Sequence, residues 1–340
     1  MKALCAKCGK PRIQHELFCE CGSFFDLKPD FKFSSDPRKN FPYIREWISL
    51  GEVVTPLVEE GSFLLKLDYF HPTYSYKDRG SRCLISYLKT FLQTGSEINE
   101  DSSGNAGASI AAYGRKAGFS VRIFTSTQAA PNKLRQIEAY GASITKIHGS
   151  RDDVAKAAFN ANGYYASHVL NPEFRDGIRT LAYELADQMD YRSDISVFLP
   201  VSAGTLLLGV VSGFRHLYDS GEIDSLPEIV AVQPEAVSPI ASKLLGKNYE
   251  PDNSIPNVAD ALVSRNPQLL DLILKSLGNT SRGVIVNNSE ILSAMEDFHR
   301  SGYLVEPSSA TVLAAYRKYH GKNKPVLVLT GNGLKTIPVS

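Results

Sequence analysis

The chain has 340 residues, of which 43% are hydrophobic and 21% are charged, and its formal net charge is +1 at pH 7. This length suits two domains with an appendage, and the composition is that of an ordinary globular protein. No block of like charges predicts a nucleic-acid partner, and no apolar run reaches the roughly 20 residues of a membrane span. Because the N-terminus carries cysteines and lysines rather than an apolar signal segment, we expect a cytoplasmic protein.

Four of the five cysteines lie near the N-terminus in two pairs, Cys5 with Cys8 and Cys19 with Cys21. Two thiolate pairs on tight turns can bind one tetrahedral zinc ion, so residues 1–28 are predicted to form a zinc-ribbon-like segment. The second pair is separated by one residue instead of the usual two, and His15 could replace one of the sulfurs as a ligand. Disulfides, which a reducing cytosol disfavours, and free thiols are the alternatives. Cys83 stands alone and is predicted to be a small buried hydrophobe.

From Gly51 onward, short β-branched or apolar runs alternate with helical patterns. The predicted strands are Phe63–Leu67, Val121–Phe124, Ile144–Ile147, Ile195–Leu199, Ile229–Val232, Val284–Val286 and Val326–Leu329. The predicted helices are Ala106–Ala117, Asn132–Tyr140, Thr180–Met189 and Glu290–Ser301. Repeated strand–helix units predict an α/β protein with mainly parallel sheets. Ligands bind such sheets at the carboxyl ends of the strands, where the motifs described next lie.

Lys77 lies in the segment His71–Gly80, directly after the first predicted strand. Its amine stands between a turn-forming proline and a helix-starting Asp-Arg-Gly, and is a candidate for covalent chemistry with a carbonyl group. An isolated lysine in such a place is usually an exposed loop residue. The assignment therefore depends on the motifs that follow later apolar runs.

The motif Ser202-Ala203-Gly204-Thr205 follows a predicted strand and opens the apolar helical segment Leu206–Phe214. Small residues at such a place let backbone N–H groups converge on a phosphate, and the two hydroxyls add further donors. Read alone, the motif is also an ordinary turn between a strand and a helix.

The motif Ser102-Ser103-Gly104 can hold the carboxylate of a substrate, and the amide of Asn105 can donate to the phenolic oxygen of a cofactor ring. Thr330, at the end of the last strand, offers a neutral hydroxyl to a pyridine nitrogen, which suits elimination and replacement reactions. A lysine, a phosphate cradle, a ring partner and a carboxylate site are what pyridoxal phosphate requires. Together these motifs predict that the chain binds that cofactor.

In their residues and in their order along the chain, these motifs resemble those of the threonine synthases, within the tryptophan-synthase-like (fold type II) pyridoxal phosphate enzymes. The segments that carry the resemblance are Gly51–Leu57, Pro72–Gly80, Ser103–Gly107, Glu306–Ala310 and Leu329–Lys335. The N-terminal cysteine pairs are also similar to a ribbon that many archaeal and bacterial members carry.

The resemblance implies two open, mainly parallel-sheet domains behind the ribbon. A large cofactor-binding domain is expected over 45–84 and 191–340, and a small mobile domain over 85–190. Lys77 is implied as the Schiff-base residue, a small amino acid as the substrate, and a homodimer as the assembly.

The chain departs from the family pattern where substrate specificity is expected. Tyr74 replaces a glycine three residues before the lysine, which adds a phenol close to the active site. Phe174 stands in place of the arginine that is expected to grip the substrate phosphate, and Arg175 lies one position later. The predicted substrate-binding residues are Tyr74, Ser102, Ser103, Gly104, Asn171, Arg175 and Arg179.

The predicted reaction is that of a threonine synthase, in which O-phospho-L-homoserine and water give L-threonine and phosphate. Lys77 would move protons among the substrate carbons, since a desolvated amine can act as a base near neutral pH. The departures leave open a serine/threonine dehydratase or a β-replacement enzyme of the cysteine-synthase type. The alternative of another class is a non-catalytic zinc-ribbon interaction protein with a degenerate cofactor fold.

Overall fold

Strands and helices alternate through most of the chain in the computed structural model, which describes residues 1–129, 131–252, 254–278 and 281–335. The strands are β1 (Lys2–Cys5), β2 (Phe25–Lys28), β3 (Leu57–Glu60), β4 (Phe63–Lys66), β5 (Glu97–Glu100), β6 (Ser120–Ser126), β7 (Ser143–Ile147), β8 (Tyr164–Tyr165), β9 (Ile195–Pro200), β10 (Glu228–Pro234), β11 (Ser281–Val286) and β12 (Lys324–Val328). The helices are α1 (Lys77–Leu88), α2 (Asn105–Lys116), α3 (Pro131–Ala139), α4 (Arg151–Asn160), α5 (Pro172–Gly177), α6 (Arg179–Gln188), α7 (Thr205–Ser220), α8 (Pro239–Leu244), α9 (Leu270–Leu277), α10 (Asn288–Arg300) and α11 (Pro307–Tyr316).

The predicted α/β architecture with mainly parallel sheets is confirmed. All seven predicted strands and all four predicted helices are present, with ends shifted by a few residues. The helical segment predicted at Leu206–Phe214 runs on to Ser220 as part of α7. Strands β5 and β8 and the short helix α5 were not predicted, and all three lie beside the candidate site.

The chain divides into two compact units. The first comprises Met1–Val53, His71–Ile178 and a C-terminal segment that begins at Lys335, and the second comprises Val54–Phe70 and Arg179–Leu334. The sequence predicts one domain over 45–84 and 191–340 and a second, mobile domain over 85–190. This division concerns which parts of the chain move together, and it remains a prediction. Lys77, assigned in that prediction to the large domain, falls in the first compact unit, and residues 336–340 lie outside the described residues.

The first unit contains a four-stranded parallel sheet in the order β7-β6-β5-β8, together with helices α1 to α5. Strand β5 is central, and its residues Ile98, Asn99 and Glu100 are fully buried. Two polar residues in the middle of a sheet need hydrogen-bond partners. The Asn99 amide donates to the backbone carbonyl of Asn162 over 2.6 Å, and the partners of Glu100 belong to the site described below.

The second unit is built on a six-stranded sheet in the order β11-β10-β9-β12-β4-β3, in which only the edge pair β3 and β4 is antiparallel. Every residue of β9 is buried, as expected for a strand covered by helices on both faces. Helices α6 to α11 belong to this unit. No helix in the described part of the chain has the length and apolar character to span a membrane.

The ribbon-like segment at the N-terminus is the antiparallel pair β1 and β2 with the cysteine turns, and it packs on α5 within the first unit. The Arg12 guanidinium lies 2.6 Å from the Glu173 carboxylate, and both side chains are almost fully buried. Removing one partner of a buried ion pair leaves the other charge uncompensated in a low-dielectric environment, which is strongly destabilising.

We expect Arg12→Met to lower the free energy of unfolding by about 3 kcal/mol, because Glu173 would lose its buried cation. The measurement is a urea unfolding curve. Lys10→Met is the matched control, since Lys10 pairs with Glu20 through two exposed side chains and its removal should leave the curve unchanged. Equal midpoints for both variants would show that the buried pair contributes no more than the exposed one.

Candidate active site

Lys77 is the first residue of α1. The next residue, Asp78, connects the loop before α1 to helix α2 through hydrogen bonds. The Asp78 carboxylate accepts a hydrogen bond from the Thr73 backbone N–H over 2.7 Å and another from the Ser109 hydroxyl over 2.6 Å. Burial raises the pKa of Asp78, and the donors at Ser109 and Thr73 act in the opposite direction. The loop before Lys77 is thus held in a defined position relative to α2.

Aromatic rings surround the Lys77 amine. Its Nζ atom lies 4.9 Å from the centroid of the Tyr76 ring and 5.7 Å from that of Phe174. The Phe174 ring lies directly on Gly80, where an added Cβ would be 2.5 Å from the ring. The Tyr76 and Phe174 rings thus form an apolar wall on one side of the Lys77 amine.

Tyr74 adopts a left-handed backbone conformation with φ of 63°, and its side chain is half exposed. This conformation costs a bulky L-residue about 1–2 kcal/mol, whereas a glycine adopts it freely. This backbone conformation therefore explains why the family pattern has a glycine at this position. Replacing it with tyrosine retains the strained turn and adds an accessible phenol three residues before Lys77.

The loop Ser102–Gly104 leads directly into α2, whose N-cap residue Gly104 makes no side-chain capping hydrogen bond. An added Cβ at Gly107 would collide with the Ser102 carbonyl, so the loop lies close against the helix. The first-turn N–H groups of such a helix are donors suited to an anion. Lys335, to which the sequence pattern assigned no role, donates a hydrogen bond to the Asn105 side-chain oxygen over 2.8 Å.

In the second unit, the predicted phosphate loop connects β9 to the 16-residue helix α7. Gly204 caps this helix with φ of 90° and without a side-chain capping bond, and an added Cβ would collide with Ile273. The Ser202 hydroxyl accepts hydrogen bonds from the backbone N–H groups of Val263 and Ser264 over 3.2 and 3.3 Å. Small residues, a left-handed glycine and a helix N-terminus are what a phosphate cradle needs, so these residues fit a cofactor phosphate.

Thr330 lies two residues after the end of β12 in the same unit and is buried. Its hydroxyl lies 3.0 Å from the Ser309 hydroxyl, which also accepts hydrogen bonds from the N–H groups of Thr330 and Gly331. The side chain is thus held in place and offers a neutral oxygen. This arrangement fits the prediction of an uncharged partner for a pyridine nitrogen.

Asn171 and Arg175 are buried and use their polar atoms within the first unit. The Asn171 amide donates to the carbonyls of Tyr165 and Ser167, and Arg175 donates to the carbonyls of Val169 and Phe25 over 2.6 and 2.5 Å. Because Arg175 faces the ribbon in this way, the structure argues against the prediction that it grips a substrate phosphate.

Arg179 is buried in the second unit, where its guanidinium donates to the Tyr183 hydroxyl over 2.7 Å. The Tyr183 hydroxyl in turn lies 2.7 Å from His216 Nδ1. These contacts fix the position of the guanidinium within the second unit, and the role of Arg179 as a substrate ligand remains a prediction.

Two residues in the first unit were missed by the sequence reasoning, Glu100 at the end of β5 and His168 between β8 and α5. The Glu100 carboxylate lies 2.7 Å from His168 Nδ1, and both residues are buried. The available signal was the acidic residue directly before the Asp-Ser-Ser-Gly-Asn loop. Glu-Ile-Asn-Glu lacks the apolar pattern of a buried strand, so its pattern predicts neither a strand nor a site residue there.

The four N-terminal cysteines converge, with all four Sγ atoms within 4.8 Å of one another. The Cys5–Cys21 and Cys8–Cys19 sulfur separations are 3.4 and 3.6 Å, much longer than a disulfide bond of about 2.05 Å. Burial raises the pKa of the Cys5 thiol, but the N–H groups of Cys8 and Lys7 bring it down to about 6. His15 stacks on Phe91 instead, so the sulfurs alone form the four-ligand set that suits zinc.

Comparisons with known proteins agree with this geometry. The model of the family described as pyridoxal-phosphate dependent enzyme matches residues 48–331. A threonine synthase of Methanosarcina acetivorans is 30% identical over 87% of this chain and 78% of the relative. A threonine synthase of Methanocaldococcus jannaschii is 28% identical over 97% and 92% of the two chains.

Solved structures share the fold at lower identity. Maize serine racemase superposes with a TM-score of 0.72 at 21% identity, covering 87% of this chain and 92% of that chain. A fungal L-serine ammonia-lyase from Rhizomucor miehei superposes with a TM-score of 0.69 at 20% identity, covering 84% and 95% of the two chains.

We expect Gly80→Ala to lower the free energy of unfolding by about 2 kcal/mol, because the new methyl group would overlap the Phe174 ring. Urea unfolding measures this cost. In a Phe174→Leu background the same substitution should cost clearly less, since the ring that it meets is gone. An equal cost in both backgrounds would contradict the proposed contact between ring and glycine.

Proposed function

This chain belongs to the pyridoxal-phosphate dependent enzyme family, and we propose that it is a threonine synthase. The proposed reaction converts O-phospho-L-homoserine and water into L-threonine and phosphate. The similarity to threonine synthases over nearly the whole chain supports this substrate, and the fold is that of the fold type II enzymes, as predicted. The observation that carries the proposal is the amine of Lys77 at the start of α1, which lies beside an apolar wall.

Residues from four segments of the chain would bind pyridoxal phosphate. Lys77 would hold the cofactor through its amine, and Ser202, Ala203, Gly204 and Thr205 would bind its phosphate at the start of α7. Asn105 would donate to the phenolic oxygen, and Thr330 would face the ring nitrogen. When bound, pyridoxal phosphate withdraws electrons from the α-carbon of an amino acid, which makes a proton there removable.

The remaining site residues would bind and orient the substrate. Ser102, Ser103 and Gly104, with the first-turn N–H groups of α2, are suited to the substrate carboxylate. Tyr74 would present its exposed phenol to the far end of the substrate. Lys77 would take a proton from the α-carbon and return protons to carbon atoms further along the substrate.

We propose that the segment 85–190 moves as a small domain on substrate binding, and that the protein acts in the cytoplasm as a homodimer. The four cysteines would hold a structural zinc ion that closes all four coordination positions and takes no part in catalysis.

A second candidate function, serine/threonine dehydratase, is favoured by one specific observation. Phe174 occupies the position of the expected phosphate-gripping arginine, and Arg175 is turned toward the carbonyl of Phe25. A substrate phosphate carries about −1.5 to −2 charges and needs a well-placed cation. An apolar ring beside the lysine suits a substrate with an uncharged leaving group.

A substrate panel decides between these functions. We expect phosphate release and threonine formation from O-phospho-L-homoserine, and little turnover of O-phosphoserine, O-acetylserine or threonine. Formation of 2-oxobutyrate from threonine, without phosphate release, would instead establish the dehydratase. Lys77→Ala should abolish turnover and the visible band of the bound cofactor, whereas the control Lys89→Ala, at the C-terminal end of the same helix, should retain both.

We expect the purified protein to contain zinc in a ratio of about one ion per chain, measured by atomic emission spectroscopy. Cys8→Ser and Cys21→Ser should lose the metal and some thermal stability, because the folding of a small ribbon depends on its ion. Cys83→Ser is the matched control, since Cys83 is buried away from the cluster in α1. A metal-free wild-type protein of unchanged stability would rule out the structural role.

A further inference from the structure

The peptide unit between Thr73 and Tyr74 is held at both of its polar groups. The Thr73 carbonyl accepts a hydrogen bond from the Gln136 side-chain amide over 3.2 Å, and the Tyr74 N–H donates to the His71 carbonyl over 2.8 Å. Because a peptide unit is planar, contacts at its carbonyl and at its N–H fix its rotation about the chain. This rotation sets the φ of Tyr74, which is 63° and therefore lies in the left-handed region.

Gln136 lies in helix α3, is half-buried, and has a side chain that is itself held in place. The same amide nitrogen also donates to the Tyr140 hydroxyl over 3.1 Å. The backbone N–H of Tyr140 bonds to the Gln136 carbonyl, so the two residues share one helical turn. A glutamine amide has two donor hydrogens, and here there are two acceptors in different residues. Gln136 therefore connects α3 to the loop before Lys77 in one defined orientation.

The remaining contacts of the peptide unit come from its own segment of the chain. Asp78 accepts hydrogen bonds from the Thr73 backbone N–H and from the Thr73 hydroxyl, and these hold the other side of Thr73. In the described part of the chain, Gln136 is the one residue of another element that hydrogen-bonds to the Thr73–Tyr74 unit. A strained conformation persists only where its surroundings over-determine it, and Gln136 supplies such a constraint from outside the loop.

The Tyr74 side chain depends on this backbone for its position. It is half exposed, and no described residue hydrogen-bonds to its hydroxyl. If the Thr73–Tyr74 unit rotated, Tyr74 could adopt a negative φ without strain, and its Cα–Cβ bond would point in another direction. The phenol would then move relative to Lys77, whereas the contacts of Asp78 would still hold the start of α1.

We propose that Gln136 is a positioning residue for substrate specificity, because it holds the Tyr74 phenol toward the distal end of the substrate. The inference rests on the proposed function, in which Lys77 holds the cofactor and Tyr74 meets the far end of an amino-acid substrate. A phenol can donate a neutral hydrogen bond to an oxygen atom there, in a phosphate or in a hydroxyl group. This neutral donor serves a site in which Phe174 stands in place of an arginine. Gln136 itself acts through Tyr74.

The first experiment measures kcat and KM of the holoenzyme with O-phospho-L-homoserine, or with threonine if the substrate panel establishes the dehydratase. Gln136→Leu keeps the approximate size of the side chain and removes both donors. It should raise KM about tenfold, the scale of one hydrogen bond lost to the substrate, and leave kcat and the visible cofactor band nearly unchanged. Arg135→Leu is the matched control, since Arg135 is the exposed neighbour on the same helix and its loss should leave KM unchanged.

The dependence on Tyr74 separates positioning from general support of the fold. Tyr74→Gly removes the phenol and adopts the left-handed conformation freely, so it should raise KM by itself. In that background Gln136→Leu should raise KM no further, because the group that Gln136 positions is gone. A wild-type KM for folded Gln136→Leu, or an equal further rise in the Tyr74→Gly background, would overturn the proposal.

The second experiment needs neither cofactor nor turnover. A crystal structure of the Gln136→Leu apoprotein should show Tyr74 with a negative φ, whereas the Arg135→Leu protein should keep the left-handed conformation. If Gln136→Leu does not fold, Gln136→Glu replaces it, because this change keeps the shape and puts a carboxylate oxygen against the Thr73 carbonyl. Tyr74 with φ still near 63° in these variants would refute the inference. A wild-type protein without a cofactor band or turnover would instead refute the proposed function and leave this measurement valid.

Discussion

The burial of the short helix α5 against α1 is the constraint on which the first unit depends. All six residues of α5 are buried, and the Phe174 ring at its centre occupies the space above Gly80. A six-residue helix is too short to be stable by itself, so its position is set by what it packs against. Since the same ring lies beside the Lys77 amine, the packing of α5 also sets the environment of the reactive group.

The charged residues of α5 explain why a ribbon is attached to this enzyme. Glu173, Arg175 and Asp176 are all buried on a helix of six residues, and each would be costly without a partner. Arg12 pairs with Glu173, the Phe25 carbonyl accepts from Arg175, and the Tyr43 hydroxyl donates to Asp176. Two of these three partners come from residues 1–28. The ribbon is thus part of the support of the site rather than an independent appendage.

The strands and motifs with a strong local signal could be predicted from the sequence, and the roles of polar residues inside the first unit could not. Apolar runs such as Ile195–Pro200 have one physical interpretation, a strand covered on both faces. Glu-Ile-Asn-Glu at β5 does not, because its burial depends on partners at Asn162 and His168 that are far away in the sequence. The direction of the Arg175 side chain is a similar case, since its place one position after the expected arginine does not tell which face of a short helix meets the ribbon.

Helices α4 and α10 begin differently from helices α2 and α7. Helices α4 and α10 begin with complete capping boxes, Ser150 with Asp153 and Asn287 with Glu290, which satisfy their first N–H groups internally. Helices α2 and α7 begin instead at Gly104 and Gly204, with no side-chain capping bond. A glycine at the N-cap costs only about a few tenths of a kcal/mol relative to a good polar cap. Helices α5, α8 and α11 also begin without a side-chain capping bond, so a missing cap alone does not mark a site. At α2 and α7 the glycine places no side chain between the first N–H groups and the substrate carboxylate or cofactor phosphate that these helix starts are proposed to bind.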